Sequence, residues 1–95
     1  MKSVMEMKKD YGYVEFAGEE YVLIQDAYLD GTEYVADAIK VGDEPDEDGY
    51  VTVYKVAWKI LYPEVEDAGD ACDWDNPADV SAIGAKFNLK DGSVF

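Results

Sequence analysis

The chain has 95 residues, of which 22 are acidic and only 8 basic, giving a net charge of −14. All eight positive charges are lysines, and arginine and histidine are absent. This composition argues against direct binding to DNA, RNA or an anionic membrane, which requires cations to neutralise phosphates. With 48% hydrophobic and 14% aromatic residues, the chain still has the material for a packed core.

In chain order, Ser3 followed by Glu6 has the spacing of a capping box, and Lys8 and Lys9 suit a helix C-terminus, so a short helix opens the sequence. Tyr13–Phe16 and Tyr21–Leu29 read as strands joined near Gly18, and Asp30-Gly31 is a turn that ends the second. Tyr34–Val41 is extended in character, and a polar loop, Gly42–Gly49, separates it from the clearest strand, Tyr50–Tyr62. Along that strand Tyr50, Thr52, Tyr54, Val56, Trp58, Ile60 and Tyr62 alternate with a set containing Lys55 and Lys59, which places the first set on the core face. Asn76 as N-cap, Pro77, Asp79 and the terminator Gly84 outline a second helix with Val80 and Ile83 buried, an irregular or extended path being the alternative. Asp91-Gly92 joins Lys86–Lys90 to Ser93–Phe95 as a hairpin. The sum is one domain over residues 1–95, α+β and predominantly antiparallel: a small sheet or open barrel of four to six strands with one or two helical turns.

The charge is segregated along the chain. Asp10–Ile39 carries eight acids and no lysine, and Glu64–Asp79 seven acids and no lysine. Such blocks are expected to project a coherent negative field. The expected partner-binding residues are Asp43, Glu44, Asp46, Glu47 and Asp48 in the loop, and Glu64, Glu66, Asp67, Asp70, Asp73, Trp74 and Asp75 beyond the long strand.

Catalysis is disfavoured, because no histidine is present as a neutral-pH base and no arginine as an anion clamp. Cys72 lies among acids that disfavour its thiolate, and as the only cysteine it excludes an internal disulfide framework. Two acidic loops approach calcium-loop spacing but place Lys55 and Tyr28 where ligands are needed. No metal or other cofactor is therefore expected. With no apolar run of membrane-spanning length and no secretory signature, a cytoplasmic location is the default expectation.

The most distinctive stretch is Ala71-Cys72-Asp73-Trp74-Asp75-Asn76-Pro77. Trp74 reads either as a recognition anchor framed by carboxylates or, favoured by the usual burial of tryptophan, as a plug at the edge of the core. Following the aromatic strand and an acidic loop, this run resembles small acidic proteins encoded on phages and mobile elements of gut-type bacteria. The likeness covers Val53–Phe95. It implies a mobile-element accessory protein, with interference in host defence as a possible role. No functional residue is carried over from that group. The leading expectation is thus a non-catalytic acidic protein that binds a basic protein surface, in its sharper form a DNA mimic blocking a nucleic-acid groove of anti-restriction or anti-CRISPR type. The alternative is a structural or regulatory subunit of a larger complex, with an enzyme a distant third. The sequence leaves the oligomeric state open.

Overall fold

The computed structural model describes residues 4–62, 64 and 72–94. Helix α1 (Val4–Tyr11) is followed by β1 (Tyr13–Phe16), β2 (Glu19–Leu23), β3 (Tyr28–Asp30), β4 (Glu33–Lys40), β5 (Tyr50–Lys59) and β6 (Asp79–Asn88). The strands form one antiparallel sheet in the order β1-β2-β4-β5-β6, with β3 also paired to β4. It is an open sheet with β1 and β6 at the ends of this order and β3, paired only to β4, as a further edge strand beside β2.

The expected strand over Tyr21–Leu29 is interrupted. β2 and β3 both lie against β4, but four residues, Ile24–Ala27, span the gap that Ala36 and Asp37 fill on the partner. The Ile24 amide still donates to the Asp37 carbonyl at 3.0 Å, so the insertion bulges without breaking the pairing. Between β1 and β2, Ala17 (φ 53°) and Gly18 (φ 81°) both adopt positive φ, as a two-residue hairpin turn of the primed type requires. A left-handed alanine is strained, so Ala17→Asn should raise stability by about 0.5–1 kcal/mol, measured by urea denaturation.

The second expected helix is a strand. Instead of opening a helix, Asn76 closes a turn, its amide donating to the Asp73 carbonyl at 3.1 Å and its side-chain Nδ2 to Asp73 Oδ2 at 2.9 Å. Pro77 is buried, the Ala78 amide donates to the Ala57 carbonyl at 2.7 Å, and Asp79 onwards pairs with β5. The edge of β5 needs backbone partners, and that demand overrides a capping pattern that only suggested a helix. Gly84, with φ 79°, falls at the irregularity between the two paired halves of β6 instead of ending a helix.

Burial along β5 also departs from simple alternation. Val51 and Val53 are buried together with Val22, Ile39 and Phe87 beneath Met7 of α1. Val56 and Trp58 are buried on the opposite face with Val14, Tyr21, Leu23, Ala36, Ala38 and Cys72. Tyr50, Thr52 and Tyr54 are half-buried and Tyr62 is exposed, so the expected core face holds for Val56 and Trp58 and fails at both ends of the run. The cause is the covering layer. An eight-residue helix reaches only about 12 Å. It shields one face near the start of β5, while the segment returning through Cys72 and Trp74 shields the other face near its end.

Candidate functional site

The loop between β4 and β5 is built around one of its own acids. Asp46 Oδ1 accepts the amide of Asp48 at 3.0 Å and that of Tyr50 at 2.9 Å. The Asp46 backbone in turn donates to the Tyr50 carbonyl at 2.9 Å and accepts from Gly49 at 3.0 Å. The Tyr50 amide foremost, then that of Asp48, with Lys86 3.9 Å away, holds the Asp46 carboxyl below its ordinary value. Behind the loop, buried Asn88 donates from Nδ2 to the Asp48 carbonyl at 3.2 Å, and the Leu89 amide donates to the Gly49 carbonyl at 2.8 Å. Gly49 has φ 90° and lies under the Lys90 side chain, where an added Cβ would approach to 3.2 Å. The positive φ is what favours glycine there, since the exposed Lys90 side chain can shift to relieve the contact.

Asp46, though exposed, is thus a structural acid; the other exposed acids of the loop are Glu44, Glu47 and Asp48, with Asp43 half-buried and 3.4 Å from the Tyr54 hydroxyl. The loop edge and β5 border an open cleft of about 380 Å³ lined by Asp43, Glu44, Asp46, Tyr50, Tyr54 and Lys86, among others. Asp46→Ala should accelerate hydrogen exchange of the Asp48 and Tyr50 amides, whereas Asp46→Asn, which keeps the acceptor oxygen, should preserve most of their protection. Because the folded-state pKa is depressed, the contribution of the carboxylate is fully present above the unfolded value. It is lost as pH falls through the folded one, so any decline in protection of these amides should be confined to pH below the ordinary carboxylate range and be no larger than that of Asp46→Asn, which likewise leaves a neutral acceptor.

The negative blocks seen along the sequence are partly dispersed in space. Strand register sets Glu33 opposite Lys59 and Asp37 opposite Lys55. Lys55 Nζ also lies 3.5 Å from Asp30, and Lys8 Nζ lies 3.5 Å from Glu20. Four of the eight acids in the lysine-free stretch 10–39, Glu20, Asp30, Glu33 and Asp37, therefore meet lysines supplied by β5 and α1, while Asp10, Glu15, Glu19 and Asp26 are exposed. On the opposite face Lys40 sits over the rings of Tyr54 at 5.4 Å and Tyr21 at 6.0 Å. Tyr54 foremost, with Tyr21, Asp43 and Glu19, raises the Lys40 pKa.

The second expected acidic cluster is described in part. Glu64 is exposed, as are Asp73 and Asp75, while Glu66, Asp67 and Asp70 lie outside the described residues. Trp74 is half-buried, with its ring 5.0 Å from that of Trp58 and 5.3 Å from that of Tyr34. The Trp74 carbonyl accepts the indole N–H of Trp58 at 3.0 Å. Trp74 is therefore an edge plug of the core that retains an accessible flank. Cys72 is buried beside it, and burial pushes its thiol pKa up.

The flank of Trp74 borders a cavity of about 240 Å³ lined by Tyr11, Val14, Leu23, Ala27, Trp58 and Asp75. A neighbouring cleft of about 270 Å³ shares Tyr13, Val14 and Asp75 with it and adds Glu15. Sequence reading placed only Trp74 and Asp75 at this site, because its walls come from distant segments that only the fold unites. The supporting role of Asn88 was likewise missed. Its signal was an asparagine just ahead of the Asp91-Gly92 turn, where a side-chain oxygen can cap following amides, as it does for Lys90 at 2.7 Å and Asp91 at 3.2 Å.

Among the described residues, no group of three or more histidine, cysteine or acidic side chains is arranged to hold a metal ion, and no helix is long and apolar enough to cross a membrane. No family model matches the chain, and neither does any curated protein or solved structure.

Proposed function

We propose that the protein is a non-catalytic binding protein whose acidic loop Asp43–Asp48 docks on the basic surface of a nucleic-acid-binding protein and takes the place of phosphates there. The observation that carries this reading is the contrast between the two acidic regions. The carboxylates of β4 face lysines across the sheet, whereas Glu44, Glu47 and Asp48 stand exposed on a loop that Asp46 and Asn88 hold in a fixed shape. Fixing charged groups before binding lowers the ordering cost of association. A geometric feature adds support. The loop precedes Tyr50, while Cys72 bridges to Ile60, so the loop and the Asp73–Asp75 turn lie near opposite ends of β5. At about 3.3 Å per residue that separation is about 30 Å, close to the roughly 34 Å of one DNA helical turn. The absence of histidine and arginine supports a role without chemistry.

The experiment is capture by the immobilised protein from a bacterial lysate at low salt, followed by elution with rising salt and, separately, with duplex DNA or RNA. Partners should be basic, elute steeply with salt and be displaced by nucleic acid. Retention insensitive to both would sink the proposal. It would favour a subunit of a larger complex, a reading to which the exposed Leu29, Leu61 and Tyr62 lend support.

A further inference from the structure

We infer that the groove beside Trp74 seats one arginine side chain of the protein partner, as an anchor that complements the acidic loop. The inference rests on the proposed binding function and gives it a second, chemically distinct contact. The groove has an aromatic and aliphatic floor, formed by Tyr11, Leu23, Ala27, Trp58 and Trp74; Asp75 lines it as its acidic residue, and Glu15 lines the adjoining cleft that shares Asp75 with it. An apolar trough with an acidic flank matches a side chain that has an apolar stem and a cationic head. At about 240 Å³ it is smaller than the roughly 300–1,000 Å³ of small-molecule sites and suits a single side chain.

Two properties favour arginine over lysine. Guanidinium is planar, stacks on an indole or phenol ring, and meets a carboxylate with two parallel hydrogen bonds. An ammonium is more strongly hydrated and gives up its water less readily. The chain already places cations against its aromatic rings, with Lys8 Nζ 4.2 Å from the centre of the Tyr13 ring and Lys40 over Tyr54. A second copy of this chain is a poor occupant, because it repeats the charge of −14 and has no arginine to offer.

The test uses the intact protein and three capped tripeptides, Gly-Arg-Gly, Gly-Lys-Gly and Gly-citrulline-Gly, the last an uncharged isostere of the first. Binding is followed by NMR through the indole N–H signals and the backbone amides of Val14 and Asp75. The arginine peptide should give saturable shifts at these sites, the lysine peptide should bind at least threefold more weakly, and the citrulline peptide should leave them unmoved. Asp75→Asn combined with Glu15→Gln, both exposed and conservative changes, should weaken the arginine peptide about fivefold or more. Trp74→Phe keeps the main-chain carbonyl that receives the Trp58 N–H and should weaken it as well. Substituting Glu44, Glu47 and Asp48 by their amides should leave it unchanged. Equal shifts from arginine and citrulline, or arginine binding indifferent to Asp75 and Glu15, overturn the anchor. Arginine binding that depends on the loop instead of the groove also overturns it, while leaving the loop-based function standing. Salt-insensitive capture with intact arginine binding in the groove would sink the loop-based function alone.

Discussion

Replacing Trp58 with alanine should destabilise the protein by about 3–5 kcal/mol, out of a total on the order of 5–10 kcal/mol for a domain of this size. Trp58 is 1% exposed and is the largest fully buried side chain. It lies opposite Tyr34 on β4 and contacts Trp74, so its removal opens a cavity between the sheet and the segment that covers it. The indole N–H is also the hydrogen bond that fastens that segment at the Trp74 carbonyl. Trp58→Phe separates the two effects. It retains most of the ring, removes the donor, and should cost about 1–3 kcal/mol. Urea denaturation followed by circular dichroism measures both. A cost below about 1 kcal/mol for the alanine variant would mean that the Cys72–Pro77 segment does not pack on the sheet as described.

Reversing Asp43, Glu44, Glu47 and Asp48 to lysine should leave the fold intact and abolish binding to any basic partner, with affinity falling by at least about 100-fold at low salt. The four reversals bring the net charge from −14 to −6, so weaker self-repulsion also favours folding. Asp46 is spared because its carboxylate accepts the Asp48 and Tyr50 amides, and its reversal would confuse loss of shape with loss of charge. The informative comparison is the slope of affinity against salt, measured by calorimetry or surface plasmon resonance. Wild type should show a steep slope and the variant almost none. An unchanged affinity and slope would make the loop a solubilising feature, and Trp74 or the exposed apolar residues would become the route of recognition.

What could be read from the sequence was what depends on local pattern. The alternation in Tyr50–Lys59, the turn at Asp30-Gly31 and the polar loop at 42–49 each announce themselves within a few residues, and they define the central hairpin of the sheet. Three features depended on which segments meet. Asn76-Pro77 has the chemistry of a helix start, but the backbone of β5 claims Asp79–Asn88 as a strand. Val51 and Val53 look solvent-facing beside Lys55 until α1 is known to lie over them. The acids of residues 30–37 look unopposed until register places Lys55 and Lys59 across from them. At the candidate site, the exposed acids of the loop were legible from composition, whereas the structural duty of Asp46 and the aromatic groove were not.

The strand order has a consequence for the route by which the chain folds. β4 and β5 are joined by nine residues and β1 and β2 by two, so both pairings close short loops. β6 must instead return across residues 60–78 to reach β5, which makes its pairing the entropically dearest step in assembling the sheet. The acidic loop, lying inside the β4–β5 hairpin, can acquire its turn geometry early, through Asp46 alone. The Trp74 turn, by contrast, belongs to the connection that closes last. The charged surface is thus expected to mature before the aromatic groove, with Asn88, which ties the C-terminal turn to the loop, coupling the two when β6 docks, an order that amide-protection kinetics during refolding would check.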